Sequence, residues 1–346
     1  MKLESPRLTQ LTGQGGCSAK IGQADLASIL SGIATLASDD LLVSAQAMDD
    51  AAVYRLGDDL ALVATTDFFP PPVDSPRDYG AIATANALSD VYAMGGSPLL
   101  LLNLVGYDLA NLPGETLRQI LEGGADIARE AGCAVAGGHS IRSAEPLFGC
   151  AVVGRVDPRR LVTNAAAQVG DVVFLTKPLG TGVVLNAHRQ GAADEPTLRR
   201  AVASMRQLNR DAAEAMVASG AHAATDVTGF GLMGHAANLA RASAVRIRIT
   251  ASALPLLPGA EELVRAGYVP GGTRRNLELA LQESAITSGL SPEMAMLACD
   301  AQTSGGLLVA VPPGRAHEFA ALIPAGAVRV GEVLPWAPGD PPVELV

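Results

Sequence analysis

The stretch Asp74–Gly96, DSPRDYGAIATANALSDVYAMGG, decides how the rest of the chain is read. Ser75 stands where an N-cap belongs, Pro76 suits the first helical position, and Asp78 follows the cap by three residues. Gly95–Gly96 ends the segment. One helix is predicted, with Asn86 and Asp90 four apart and so on one face, amid small alanines that let another group approach closely. Working outward, Ala51–Leu56 and Leu60–Thr65 about Gly57–Asp58–Asp59 read as a hairpin. Pro98–Gly106 reads as a buried strand, Gly114–Ala131 as a helix, Cys133–Ala136 as a strand running into a Gly137–Ser140 loop, and Leu147–Val156 as a further strand. Strands and helices mixed in this way predict an α/β or α+β layer.

Beyond it, Asp157–Gly170 loses apolar periodicity. A second unit follows: a strand at Asp171–Thr176, helical segments at Gly180–His188 and Thr197–Ala218, and a strand at Val245–Ile249. A loop rich in proline and glycine runs from Pro255 to Gly272, and a strand at Leu307–Val311 precedes a final helix and strand. A chain of 346 residues exceeds what one core usually holds. The expected division is a mobile glycine-rich segment over 1–48 with a short helix at Gln23–Ile33, a first domain over 49–157, a linker over 158–169, and a C-terminal α/β domain over 170–346.

Composition narrows the function. With 25 basic against 35 acidic residues the net charge is −10, the wrong sign for a protein that neutralises phosphates of nucleic acid. The longest apolar run, Leu99–Leu102 resuming at Leu104–Val105, is far below the ~20 residues of a membrane span. No apolar signal core opens the chain, and Cys17, Cys133, Cys150 and Cys299 form no close framework, which points to the cytoplasm.

The chemistry-bearing residues begin with Gly13–Lys20, GQGGCSAK, a lone thiol and a lone lysine on a glycine-rich segment. Cys17 is expected on a partly exposed loop, its thiolate favoured by the neighbouring ammonium, and Lys20 suits a phosphate. Taken alone, the segment reads equally well as an idle leader. Asp50, Asp67, Asp90 and Asp226 stand at strand ends or on a small-residue helix face, with Asp67 just past the end of its strand, and hard carboxylates from several elements are how magnesium is held on a nucleotide. Gly229–Gly234 matches G-x-G-x-x-G, but no acidic residue follows about twenty positions later, so a tight turn into a helix is expected there. Lys20 is preceded by Ala19, which excludes a Walker A loop. His139 is read as a binding residue through its surrounding amides; His188, His222, His235 and His317 are read as structural, and Cys133, Cys150 and Cys299 as inert core thiols.

In order, GGCSAK, MDDAAV, TTDFF, ANALSDVYAMGG, AGGHS, TDVTGFGLMGH, PGGTRRN and DAQTSGGLL resemble the selenophosphate synthetase (selenide, water dikinase) family. Similarity runs from about Arg7 to about Val333. The resemblance implies a two-domain aminoimidazole ribonucleotide synthetase-like fold whose N-terminal domains pair into a β-barrel across a homodimer. It implies ATP, selenide and water as substrates, and selenophosphate, AMP and phosphate as products. Cys17 and Lys20 become catalytic, and Asp50, Asp90 and Asp226 become magnesium ligands. Lys20, Ala47, Met48, Asp49, Asp67 and Asp90 become nucleotide contacts, and Gly138, His139 and Ser140 reach ATP from the partner subunit. Ala19 removes the second cysteine that some members carry. The resemblance leaves open the selenium donor, a monovalent-cation requirement and the rest position of the glycine segment. The rivals are another ATP user of the superfamily, acting on an amide or small alcohol, and a non-catalytic selenium carrier.

Overall fold

The computed structural model describes residues 7–21, 29, 38–44 and 47–346. Apart from Ile29, the helix expected over Gln23–Ile33 lies outside them. In the first half, strands β1 (Leu41–Val43), β2 (Ala52–Arg55), β3 (Ala61–Phe69), β4 (Ser97–Gly106), β5 (Ala134–Ile141) and β6 (Leu147–Val156) form a six-stranded sheet in the order β1-β2-β3-β6-β4-β5. All neighbours are antiparallel except β4 and β5. Helices α1 (Pro76–Ala93) and α2 (Gly114–Glu130) cover one face. The hairpin and the α1 cap are as the sequence predicts: the Ser75 hydroxyl accepts from the Asp78 amide.

Two expectations change here. Asp67 lies inside β3, because that strand runs on to Phe69. The Gly137–Ser140 segment is not a loop; β5 continues through it. Gly138 permits this, since a Cβ there would collide with the Asn103 carbonyl on β4.

The second half carries β7 (Val172–Leu175), β8 (Ala223–Asp226), β9 (Arg246–Ile249), β10 (Ala285–Ile286), β11 (Leu307–Val311), β12 (Val328–Leu334) and β13 (Val343–Leu345). Their order is β10-β13-β9-β12-β7-β11-β8, parallel only at the β10-β13-β9 edge. Helices α3 (Thr181–Arg189), α4 (Glu195–Arg206), α5 (Arg210–Ala218) and α6 (Gly231–Ala242) precede α7 (Ala260–Arg265), α8 (Gly271–Glu283), α9 (Pro292–Ala298) and α10 (Ala316–Ala321). The helical run from Thr197 to Ala218 is two helices, broken at Gln207–Asn209, and the proline- and glycine-rich loop contains α7. Gly231, with φ of 69°, makes the expected turn into α6.

The alanine-rich α1 sits at the seam of the halves. A Cβ on Gly80 would strike the Ile120 carbonyl of α2, so the two helices cross in backbone contact. On its other side Ser89 accepts from Asn209 Nδ2 at 2.9 Å, and Asp78 pairs with Arg206 at 2.7 Å. The 158–169 stretch packs too: Val162 donates to the Met94 carbonyl and Asn164 to Asp49.

Candidate active site at the seam

The glycine segment is docked in the seam. Its stem is clamped by Asp74, which takes Arg7 Nε at 2.8 Å and the Thr9 hydroxyl at 2.6 Å, and by Arg189, which donates to the carbonyls of Thr12 and Gly13. At the tip, Gly16 donates to the Pro70 carbonyl and has φ of 61°; a Cβ there would collide with the Thr303 hydroxyl. Gly16–Ala19 closes into a 3-10 turn.

This overturns the expectation of a partly exposed thiol with a favoured thiolate. Cys17 is 1% exposed. Its amide donates to Thr303 Oγ1 at 3.1 Å and its Sγ to Asn86 Oδ1 at 3.3 Å. Burial pushes its pKa well above the ordinary range, further raised by Asp67 and Asp226, and Lys20 offsets only part of that. In this closed arrangement the sulfur is a neutral thiol.

Lys20 Nζ lies 3.0 Å from Asp67 Oδ2. Burial works against its charge, but Asp67, with Cys17, Asp90 and Asp226 behind it, holds its pKa above the usual lysine value. Asp67 Oδ2 also accepts Asn86 Nδ2 at 2.5 Å. One asparagine on α1 therefore touches the thiol, the lysine's partner and, through its Oδ1, the Ser304 amide at 2.9 Å.

Around this lie the other carboxylates. Asp90 accepts from Thr65 Oγ1 at 2.5 Å, and Asp50 from Thr225 Oγ1 at 2.8 Å. Burial raises the pKa of both well above the carboxylate range, with Asp226 the next cause in each case. Asp226 is itself pushed up to about 6 by burial, against the opposing pull of Ser89, Lys20 and Lys177. The three feel one another's charge, and Oδ2 of Asp50 and of Asp226 is buried without a hydrogen-bond partner. Among the described residues no group of three His, Cys, Asp or Glu side chains is arranged to hold a metal ion.

The remaining candidates divide. Asp49 accepts from the Asp50 and Asn164 amides, and burial raises its pKa to about 6. Met48, at φ of 49°, offers its carbonyl to Asn164 Nδ2, and Ala47 is exposed beside it. Gly138, His139 and Ser140 lie on the exposed edge strand β5 and take no part in this constellation. Residues that sequence reasoning left out of the site are Asn86, Thr65, Thr225, Thr303, Ser304 and Lys177. Asn86 carried a signal in its spacing from Asp90.

The family model "AIR synthase related protein, N-terminal domain" matches residues 48–156, and its C-terminal counterpart matches residues 168–336. A selenide, water dikinase of Burkholderia ambifaria is 47% identical over 334 residues, covering 95% of this chain and 94% of the relative. One from Myxococcus xanthus is 46% identical, covering 96% of each. The chain belongs to the selenide, water dikinase family. Solved structures share the fold at lower identity. AaThiL complexed with AMPPCP and TMP has a TM-score of 0.69 at 22% identity, covering 94% of this chain and 93% of that one. Hydrogenase maturation protein HypE has a TM-score of 0.62 at 20% identity, covering 90% and 91%. The dikinase family's two-domain aminoimidazole ribonucleotide synthetase-like fold is thus the fold of this chain. No helix among the described residues is long and apolar enough to cross a membrane.

Proposed function

We propose that this chain makes selenophosphate from ATP, selenide and water, releasing AMP and phosphate. The observation that carries the reading is Asn86, which bonds the Cys17 thiol with one atom and the carboxylate that holds Lys20 with the other. A buried thiol for selenium and a part-exposed ammonium for phosphate thus stand in one site. Lys20 stays charged through Asp67 and can receive a phosphoryl oxygen; Cys17 meets selenium; the docked glycine segment excludes water from the thiol and leaves the ammonium open to an incoming phosphate. A rise of the segment would return the thiol to water, where its ionised form is accessible.

Magnesium fits the acids. They are hard oxygen donors, two of their buried oxygens lack partners, and their mutual repulsion calls for a cation. The ion usually takes one or two carboxylates and fills its other positions with water and phosphate, which suits acids that form no three-membered cage. Asp50, Asp90 and Asp226 are the acids that would hold it, one or two of them directly and the rest through its waters, with Asp67 and the Ala47–Asp49 stretch toward the nucleotide. Bound there, it would neutralise charge on the transferring phosphoryl group.

We further propose a homodimer. Strands of the first sheet expose the large apolar side chains of Tyr54, Phe68, Leu99 and Leu102, and exposed apolar surface of this kind marks an interface. Pairing there would give Gly138–Ser140 a role in the partner's nucleotide site. The four cysteines are unpaired, in keeping with a reducing cytoplasm. We read 49–157 as the ATP and magnesium domain, 158–169 as the linker and 170–346 as the C-terminal domain.

The test is phosphorus NMR of the purified protein with ATP, with and without magnesium and selenide. Expected are AMP, phosphate and a phosphorus–selenium resonance that needs both additions. ADP as the sole nucleotide product would favour another ATP user of the superfamily, and no turnover would favour a carrier.

A further inference from the structure

Ser304 carries two unfavourable features at once. Its φ is 50°, a left-handed conformation that L side chains rarely adopt, and its hydroxyl is buried without a hydrogen-bond partner. The backbone on both sides of the hydroxyl is firmly held: the amide donates to Asn86 Oδ1 at 2.9 Å, and the carbonyl accepts the buried Lys177 Nζ at 3.0 Å. The turn cannot relax by itself. Gly305 is pressed against the Val227 carbonyl and Gly306 against Lys177, so neither tolerates a side chain. Unusual backbone held this rigidly beside a nucleophile, with a donor left over, is a pattern of functional sites.

The neighbouring sulfur indicates what the donor meets. Cys17 S–H donates to Asn86 Oδ1, the same oxygen that accepts the Ser304 amide, and that amide also favours the Cys17 thiolate. Lys20 supplies positive charge close by. Hydrogen selenide is a monoanion at neutral pH with one Se–H donor and a soft acceptor, so it presents to these groups what a cysteine side chain presents.

We propose that Ser304 contacts the substrate: with the strap lifted, hydrogen selenide takes the place of the Cys17 S–H group, donating to Asn86 Oδ1 and accepting from the Ser304 amide and hydroxyl. This rests on the reading of Cys17 as the residue that meets selenium. With the glycine segment docked on Thr303, Cys17 fills this position itself; once the segment lifts from Thr303 the position opens and Ser304 holds the chalcogen there.

The test is anaerobic steady-state kinetics of the full-length protein and its Ser304→Ala, Ser304→Gly and Cys17→Ser variants, following the phosphorus–selenium product. Both Ser304 variants should raise KM for selenide about tenfold, the effect of one hydrogen bond to a charged group, and leave KM for ATP unchanged. Glycine is at ease with a positive φ, so Ser304→Gly keeps its thermal stability and separates contact from folding. An unmoved KM for selenide in Ser304→Gly overturns the proposal. A rise confined to ATP assigns the hydroxyl to the nucleotide and overturns it as well. Normal synthesis by Cys17→Ser would remove the reading beneath the proposal; an inactive Cys17→Ser beside an unmoved Ser304→Gly removes the proposal alone.

Discussion

Gly16→Ala should open the strap. At this position φ is 61° and the added methyl would meet the Thr303 hydroxyl. A left-handed alanine costs about 1–2 kcal/mol. Displacing Thr303 also weakens its bond from the Cys17 amide, now 3.1 Å long, for about 1 kcal/mol more. Together, about 2–3 kcal/mol taken from the docked state shifts the open-to-closed ratio by about 30- to 150-fold. The readout is reaction of Cys17 with a chromogenic thiol reagent in the absence of any ligand, since Cys133, Cys150 and Cys299 are buried elsewhere and serve as internal references. When opening is fast compared with labelling, the labelling rate follows that ratio directly. Gly13→Ala is the control: a Cβ on Gly13 meets nothing within 4 Å and its rate should match wild type. If Gly16→Ala labels at the wild-type rate, the tip is not held by Thr303 and the account of a buried, neutral thiol is wrong.

Asp226→Asn keeps shape but removes a charge from the acid cluster, so turnover should fall by ~10²-fold or more while folding survives. Raising magnesium should restore part of the loss by mass action; normal turnover at limiting magnesium would make Asp226 purely structural. His235 accepts the Thr228 amide at 3.1 Å and is buried; that burial, with the Lys20 charge, holds its pKa down at about 3 from 6.5. The unfolded chain therefore takes up the proton first as pH drops. This contribution to stability is complete above pH 6.5 and is lost by about 1.4 kcal/mol per pH unit below it, until the folded-state value is reached. Urea unfolding of wild type and His235→Gln between pH 6.5 and 4.5 should show a shallower slope for the variant, and equal slopes would refute this role.

What the sequence made legible was local or rested on charge type. The α1 cap is read from Ser75, Pro76 and Asp78 because capping involves residues three apart. Four aspartates declare themselves because carboxylates placed together at strand ends and on a small-residue helix face suit a magnesium ion. The state of Cys17 was not legible, since its partners Asn86 and Thr303 lie 69 and 286 positions away. Glycines at 13, 15 and 16 suggested freedom, yet Gly15 and Gly16 are glycines because Pro71 and Thr303 leave no room for a side chain. The helix α8 was missed for a different reason: it begins at Gly271, at the end of a proline- and glycine-rich stretch, and tertiary packing overrides that local signal. The helix α9 repeats the α1 cap, with the Ser291 hydroxyl accepting from the Met294 amide and Pro292 at the first position, so its start was open to the same reading.

The Arg189 clamp sets a tether radius. Its guanidinium grips the carbonyls of Thr12 and Gly13, and three residues lie between Gly13 and Cys17. The four Cα-to-Cα steps span at most about 14 Å. While the clamp holds, the Cys17 Cα can travel no farther than that from Gly13, and the sulfur only a side chain's length beyond, whatever the tip releases. On the proposed reading of Cys17 as the residue that meets selenium, a carrier would have to bring the atom inside that arc, and the surface around Arg189 and Asp74 would bound where delivery takes place.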